Sequence, residues 1–404
     1  MRILIIDVNC KYSSTGNIVY SEYQYLKKKG HDVVVCYGRG PVLHESGIYK
    51  FGVDFETVFH AAMARVTGYN GCFSPLSTIR LIKTIDLFKP DVIHIHELHA
   101  YFVNINQLIQ FIIRSQIPTV MTLHCEYNFT GKCGHANECM RFQDKCGNCP
   151  QLHDYPKSVF FDHTTRMIEN KRSLFTRLDP FVTVPSKWGE ERARLSFFHK
   201  MRIGIVHNGI DTNVFSICDS KERVFSKHGI AKDKKILLGV APNIMCEEKG
   251  GRWMIDIARK LSPLVHLILI GADETVKNIE NVSVIGRIDD QRELAEYYSA
   301  ADVFLLCSKK ETFSMTCAEA LACGTPVVGF NAGAPETIFI QPFAYFSEYG
   351  KVDLILEKIE YRLSNPIDRS TIRRYAVSEF SQEKMCMEYE NIYYSVVKNG
   401  VSNI

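Results

Sequence analysis

Two glutamates, Glu311 and Glu319, bracket the segment Lys310-Glu311-Thr312-Phe313-Ser314-Met315-Thr316-Cys317-Ala318-Glu319-Ala320-Leu321-Ala322-Cys323-Gly324-Thr325-Pro326-Val327-Val328. An apolar run, Val303–Ser308, leads into the loop that carries Glu311, and a helix is predicted to begin near Ser314, a residue type that caps helix starts well. Glu319 then falls just past the first turn, so both carboxylates lie near the carboxyl edge of a sheet. A helix start offers unpaired backbone N–H groups and partial positive charge, which suits a phosphate. Carboxylates repel phosphate and pair with hydroxyls instead. A diphosphate at the helix end, with sugar hydroxyls on the flanking carboxylates, is the chemistry of a nucleotide sugar. Two solvated acids on an ordinary strand–loop–helix would show the same spacing, so the pair alone leaves both readings open.

Other polar residues collect at strand ends. His124 follows Val120–Leu123, and His94, His96 and His99 lie at and beyond Val92–Ile95. With a period of two, His94 and His96 share a face, as packed histidines, as groups near an acceptor, or as a metal pair whose acid is unspecified. Gly16 lies between the first strand and the first helix, where a missing Cβ either lets backbone approach a phosphate or simply makes a turn. The full G-x-G-x-x-G fingerprint is missing, which weighs against a nicotinamide dinucleotide.

The elements that must hold these residues alternate between apolar runs and amphipathic segments. Ile3–Val8 reads as a buried strand, followed by a loop at Ser13-Ser14-Thr15-Gly16 and a helix with Val19, Tyr23 and Leu26 on one face, stopped by Gly30. Val33–Tyr37, Val92–Ile95, Thr119–Leu123, Phe181–Pro185 and Ile203–Val206 continue the strands, with a helix over about Glu190–Phe198. The pattern restarts after His207-Asn208-Gly209-Ile210-Asp211, with strands at Ile236–Val240, Leu267–Ile270, Val282–Ile285, Val303–Leu306 and Val327–Gly329. This is an α/β chain of right-handed βαβ units. It divides as 1–212, carrying a cysteine-rich insert at 125–160, then 213–380, then a crossover helix in 381–404 with Met385, Tyr389 and Ile392 on one face. Two doubly wound parallel sheets facing a cleft would bind ligands at the carboxyl ends of their strands.

Composition narrows the classes. The 404 residues, 46% hydrophobic and 23% charged, suit two globular domains at about 150 residues each. A net charge of +3 carries no global signature of nucleic-acid binding. The start, Met1-Arg2-Ile3-Leu4-Ile5-Ile6-Asp7, is too short an apolar run for a signal peptide, and no run is long enough to span a membrane, so a cytoplasmic location is expected. In a reducing compartment the 14 cysteines should be thiols or metal ligands.

The segment around Glu311 and Glu319 resembles the E-x7-E motif of retaining GT-B glycosyltransferases, specifically glycosyltransferase family 4. Gly30-His31-Asp32-Val33, Pro90-Asp91-Val92-Ile93-His94-Ile95-His96, His207-Asn208-Gly209-Ile210-Asp211, Lys249-Gly250, Ser299-Ala300-Ala301-Asp302-Val303 and Gly333-Ala334-Pro335-Glu336 resemble further landmarks of that family, in order. The resemblance implies two Rossmann-like domains with the last helix packing back on the first. It implies that Glu311 contacts donor-sugar hydroxyls, Glu319 the ribose hydroxyls, Lys249 the leaving diphosphate and His124 the donor sugar. Gly16, Asn208, Phe313, Ser314, Met315 and Thr316 would also line the donor site, with backbone N–H groups of Phe313, Ser314 and Met315 facing diphosphate and sugar. The sequence departs from the family at Ile244, where an Arg is usual, so that a base such as Arg252 would substitute or the diphosphate would be held with one charge fewer, and at Cys125, where an Asp follows the His.

Cys133, Cys139, Cys146 and Cys149 fall in the insert with spacings x5, x6 and x2. Cys146-Gly147-Asn148-Cys149-Pro150 reads as a zinc knuckle, with Cys133 and Cys139 as the remaining ligands of a closed structural zinc site; an iron–sulfur cluster and free thiols are the alternatives. The insert is similar to one in some bacterial polysaccharide glycosyltransferases, where it lies by the acceptor.

The expected activity is therefore retaining transfer of a hexosyl-type residue from a nucleotide-diphosphate sugar to a saccharide or lipid-linked saccharide in surface polysaccharide synthesis. No Asp-x-Asp occurs, so no divalent ion or other cofactor is expected in catalysis. The aromatic and basic segment Trp188–Arg202 could touch the inner face of an anionic plasma membrane or dock as an interdomain helix. A sugar-nucleotide epimerase or phosphorylase on the same architecture, or a non-enzymatic nucleotide- or metal-binding module, are the rival readings.

Overall fold

The computed structural model describes residues 1–272 and 279–401, with side chains through residue 398; the end of the expected crossover segment, 402–404, lies outside the described residues. The chain divides into two compact units, Met1–Val206 with Met385–Ile404, and His207–Lys384.

The first unit is built on seven parallel strands: β1 (Arg2–Asp7), β2 (Asp32–Tyr37), β3 (Ile48–Lys50), β4 (Val92–Ile95), β5 (Thr119–Thr122), β6 (Phe181–Val184) and β7 (Ile203–Ile205), in the order β3-β2-β1-β4-β5-β6-β7. Its strands read as continuous apolar runs because helices cover both faces. The side-chain alternation splits them: Leu4, Ile6, Ile93, Ile95, Met121 and Leu123 enter one core, while Ile3, Ile5, Val92 and Val120 enter the other. The second core is closed by the helix Ser13–Lys28 and by the last helix, Gln382–Val401, through Met385, Cys386, Tyr389, Tyr393 and Val396. The last helix thus returns to the first sheet, as the resemblance implied.

The second unit repeats the architecture with β8 (Lys235–Val240), β9 (Val265–Ile270), β10 (Val282–Ile285), β11 (Val303–Leu306), β12 (Val327–Phe330) and β13 (Ala344–Ser347), all parallel, in the order β10-β9-β8-β11-β12-β13. In both sheets the chain order reverses beside the first strand, between β1 and β4 and between β8 and β11. Connections leave in opposite directions there and open a crevice at the strands' carboxyl ends.

Several sequence expectations need correction. Ser13–Gly16 is the first turn of the helix Ser13–Lys28, not a loop. Tyr23 is only partly buried on that helix, and Glu22 takes the inward place beside Val19 and Leu26. The helix expected over Glu190–Phe198 is Lys187–Arg194 followed by a 3-10 turn, Phe197–Lys200. The short edge strands β3 and β13 were not expected from the pattern.

Candidate active site

At the second unit's reversal point, β11 runs into the loop that carries Glu311, and the helix Met315–Ala322 follows. Glu311 is held by backbone: its N–H donates to Ala332 O at 2.7 Å, and its carbonyl accepts from Ala334 N at 3.2 Å. The loop it grips is tied in turn by Glu336, whose carboxylate accepts from Ala332 N and Gly333 N, both at 2.9 Å. Gly333 has φ +99°, a conformation glycine adopts without strain.

Lys249 reaches the same place from the end of β8. Its Nζ donates to Glu311 Oε1 at 2.7 Å, both side chains being partly exposed. The turn behind Lys249 requires glycine, because Gly250 has φ +71° and a Cβ there would stand 2.1 Å from Cys307 O. Ile244, where the family pattern has Arg, is wholly buried in the core, and Arg252 is exposed on the helix Gly251–Lys260.

Ser314 precedes the helix as expected, but its side chain caps no backbone N–H. It has φ +78°, and its hydroxyl pairs with Thr316 Oγ1 and Cys317 Sγ, each at 3.2 Å. A non-glycine residue at such φ is strained, and strain of this kind clusters where a site is pre-organised. With no side-chain cap, the first amides of the helix lack the usual partner. Phe313 is buried against Phe339 and Phe380, each at 5.8 Å between ring centroids, so its side chain anchors the loop. Glu319 accepts a hydrogen bond from the Tyr298 hydroxyl at 2.8 Å. Burial pushes its carboxyl up to about 7, against the pull of that hydroxyl. Asn208 is buried with Oδ1 lacking any hydrogen-bond partner.

In the first unit, the face covered by the first and last helices carries a polar chain. His94 and His96 on and beyond β4, and Thr122 and His124 on and beyond β5, share that face. Glu22 accepts from His94 Nδ1 at 3.2 Å and from His96 Nε2 at 3.0 Å, and the Tyr393 hydroxyl also bonds its carboxylate. His96 Nδ1 meets His124 Nε2 at 2.9 Å, and His94 Nε2 meets Thr122 Oγ1 at 2.7 Å. Burial would raise Glu22, but the field and hydrogen bonds of His94 and His96 hold it below the usual carboxylate range. Burial, then the neighbouring His94, lowers His96 to about 4; burial, then His96, holds His124 well below an ordinary histidine.

His99 is separate from this chain and pairs with Glu97 at 3.1 Å, beside Cys125, whose Sγ lies 3.6 Å from Glu97. Glu97 and His99 line a cavity of about 530 Å³ with Asn9, Ser13, Thr15 and Arg39. Burial pushes Asp7, at the end of β1, up to about 7, and burial with the field of Asp7 raises Glu97 well above its normal value. Asp7 Oδ1 and His99 Nδ1 are buried without partners. Gly16 lies behind this wall, where a Cβ would stand 3.3 Å from Asn9 Cβ and from Lys11 N.

The insert is held by two lysines. Lys132 Nζ donates to Pro156 O at 2.7 Å, and Lys171 Nζ to Tyr127 O at 2.6 Å. Cys133, Cys139, Cys146 and Cys149 line one small cavity of about 20 Å³. Cys146 Sγ accepts from Gly131 N at 3.2 Å, and a hydrogen bond from Cys133 lowers Cys149 to about 6. The same hydrogen bond raises Cys133, and burial raises Cys146; among the described residues no three of these four sulfurs gather closely enough to form a ready metal-ligand set. Elsewhere, the Trp188–Arg202 segment turns inward: Phe197 and Phe198 are buried, and Arg192 pairs with Glu126 at 2.6 Å. Phe197 and Phe198 are therefore core, whereas Trp188 is partly exposed and Arg194, Lys200 and Arg202 lie at the surface.

Sequence reasoning missed Glu22, Asp7, Glu97, Tyr298 and Tyr393. Glu22 had a visible signal, a lone acid at helical spacing between Val19 and Leu26. Tyr298 had none, because an aromatic residue before a strand reads as packing.

Two family models match the chain in tandem, glycosyltransferase family 4 over residues 15–214 and glycosyl transferases group 1 over residues 220–378. The colanic acid biosynthesis glycosyl transferase WcaC of Escherichia coli (strain K12) is 23% identical, over 97% of this chain and 99% of that protein. The O-antigen biosynthesis glycosyltransferase WclY of Escherichia coli is 26% identical over 49% of this chain and 57% of its own. Among solved structures, sucrose-phosphate synthase from Thermosynechococcus elongatus superposes with a TM-score of 0.67 at 16% identity, covering 98% of this chain and 99% of that one. Anabaena Alr3699/HepE in complex with UDP-glucose does so with a TM-score of 0.64 at 15% identity, covering 100% of both. With two Rossmann-like parallel sheets, the last helix returned to the first of them, and both family models in register, the chain belongs to glycosyltransferase family 4, the retaining glycosyltransferases of GT-B fold.

Proposed function

We propose that this enzyme transfers a hexosyl residue, with retention, from a nucleoside-diphosphate sugar to a saccharide or lipid-linked saccharide acceptor in surface polysaccharide synthesis. The observation that carries the reading is the convergence of Lys249, Glu311 and a strained, side-chain-uncapped helix start at one sheet reversal. Lys249 and the first amides of the helix would neutralise the departing diphosphate without a divalent ion. Glu311 would hold the donor-sugar hydroxyls and Glu319 the ribose hydroxyls. In the second unit the amides of Phe313, Ser314, Met315 and Thr316 and Asn208, whose Oδ1 lacks a partner, would add donor contacts; in the first unit the backbone beside Gly16 and His124 are the groups that the family resemblance assigns to the donor. UDP-glucose in Anabaena HepE makes a uridine donor the first to try. In the first unit, paired acids raised by burial, with Arg39 on the cavity wall, suit acceptor hydroxyls.

The test is a thermal-shift screen of UDP-, GDP-, ADP- and TDP-sugars, followed by transfer assays with oligosaccharide and polyprenyl-linked acceptors. A true donor at 100 times its Kd should stabilise the fold by about 2.7 kcal/mol. No stabilisation by any sugar nucleotide, with Glu311→Gln and Lys249→Ala indistinguishable from the parent, overturns the reading.

The cysteine cavity would hold one structural zinc, which gives cross-linking and no chemistry, since four thiolates close its coordination. For peripheral contact with the inner leaflet, another face offers more exposed apolar surface than Trp188–Arg202, two of whose aromatic residues are buried. Phe55, Val58, Phe59 and Val66 are exposed along the helix Asp54–Thr67, with Leu76 and Ile79 exposed on the helix Pro75–Phe88. The two helices are joined by Glu56, which accepts from Leu76 N at 2.8 Å and Ser77 N at 2.7 Å. Exposed Arg65, Arg80 and Lys83 flank the apolar row, as an anionic lipid surface would require. Co-sedimentation with phosphatidylglycerol vesicles, lost in Phe55→Asp/Phe59→Asp, is expected; equal binding by that variant refutes this face. No helix among the described residues is long and apolar enough to cross a membrane.

A further inference from the structure

The buried chain of the first unit has only one internally consistent placement of protons. Glu22 receives the Tyr393 hydroxyl, His94 and His96, and stays ionised. An ionised carboxylate is an acceptor only, so His96 must donate through Nε2. His96 is neutral at pH 7, because burial depresses it to about 4, so its Nδ1 carries a lone pair and no hydrogen. That lone pair faces His124 Nε2 at 2.9 Å, and His124 must therefore be the donor. A neutral imidazole has one N–H, which leaves His124 Nδ1 bare, and Nδ1 has no hydrogen-bond partner among the described residues.

We infer that Glu22 and His96 are positioning residues that fix His124 as its Nε2–H tautomer, so that Nδ1 accepts a hydrogen bond from a hydroxyl of the bound sugar. The inference rests on the transferase reading in which His124 meets that sugar, and it makes this histidine an acceptor there. The order is enforced three groups away, by a carboxylate no substrate touches. It also sets a specificity, since a hydroxyl satisfies Nδ1, while a methyl ether or a deoxy position leaves a desolvated lone pair unpaired. Because Glu22 also receives Tyr393, the last helix takes part in holding the tautomer.

The test uses the full chain labelled with 15N-histidine, read by long-range proton–nitrogen correlation at pH 7, with His124 assigned by its loss in His124→Gln. The expected pattern is a protonated Nε2 and an unprotonated Nδ1 at His124. His96→Leu, which removes the acceptor, should give a mixed tautomer and lower kcat about tenfold or more with a smaller change in donor KM. A protonated Nδ1 in the parent overturns the inference, even if transfer is demonstrated, and so does an unchanged tautomer and kcat in His96→Leu. The nitrogen pattern is read without substrate, so it is independent of the donor screen: a parent that binds no sugar nucleotide sinks the transferase reading and with it the hydroxyl acceptor role, while a Nδ1–H signal sinks the relay alone. Should His96→Leu fail to fold, the parent spectrum still decides.

Discussion

Lys249 and Glu311 are bonded to each other, Nζ to Oε1 at 2.7 Å, although each is suited to a different part of one ligand. A diphosphate would compete for the lysine, and sugar hydroxyls for the glutamate. The pair is thus a placeholder that holds both side chains in position and exchanges one ion pair for several ligand contacts. Being partly exposed, it should contribute only about 0–1 kcal/mol to stability. Lys249→Ala and Glu311→Gln are therefore expected to unfold within a few degrees of the parent and to lower kcat by about 10²–10³. Melting curves and steady-state kinetics on the same preparations check both halves.

Glu319 gives a pH signature. Its folded-state value near 7 lies above its ordinary 4.5, so between these values the folded chain binds more protons than the unfolded one. The contribution is fully present below about 4.5 and is lost as pH rises through about 7. Glu319→Gln should take its share out of the slope seen in urea titrations from pH 5 to pH 8, leaving the part that Asp7 and Glu97 contribute. Donor binding should run the other way in the parent, tightening as pH rises through 7 and the carboxylate ionises, and should be flat in the variant.

Glu336 acts through the loop that grips Glu311. Glu336→Ala frees the N–H groups of Ala332 and Gly333, which should cost about 1–3 kcal/mol of stability. kcat should fall about tenfold as Glu311 loses its fixed position, with a weaker effect from Glu336→Gln, which keeps one acceptor. Gly250→Ala should be worse for folding, since its Cβ meets Cys307 O and its φ is +71°; poor soluble yield with a lowered melting point is the expected result.

The cysteine cavity predicts one zinc per chain by elemental analysis of protein purified without chelator. Cys149→Ser should lose the ion and lower the melting point, because metal affinity is folding free energy for such a loop. Donor binding to the second unit should survive that change, and acceptor turnover should not.

What could be read from the sequence follows from how local the cause is. The strands near the reversal points, β1, β4, β8 and β11, are mostly apolar runs, and Glu311, Glu319 and Lys249 lie near them at spacings set by one loop or one helical turn. Those were legible. The proton chain from Glu22 to His124 joins residues from the first helix, two strands and the last helix, and period two alone could put His94 beside His96 but not name their acid. The short strands β3 and β13 are set by pairing with a neighbour, with too few residues to show a pattern. In the Trp188–Arg202 segment composition could not show that Phe197 and Phe198 face the core while Trp188 and the basic residues stay at or near the surface.

The first unit's second core is finished by Met385, Tyr389, Tyr393 and Val396. During synthesis, residues 1–206 would leave the ribosome with that apolar face of the sheet and the Glu22 carboxylate uncovered, and would wait for the whole of the second unit to be translated. A fragment ending at Val206 should therefore associate or recruit a chaperone, whereas the same fragment joined by a flexible linker to residues 382–401 should fold unaided.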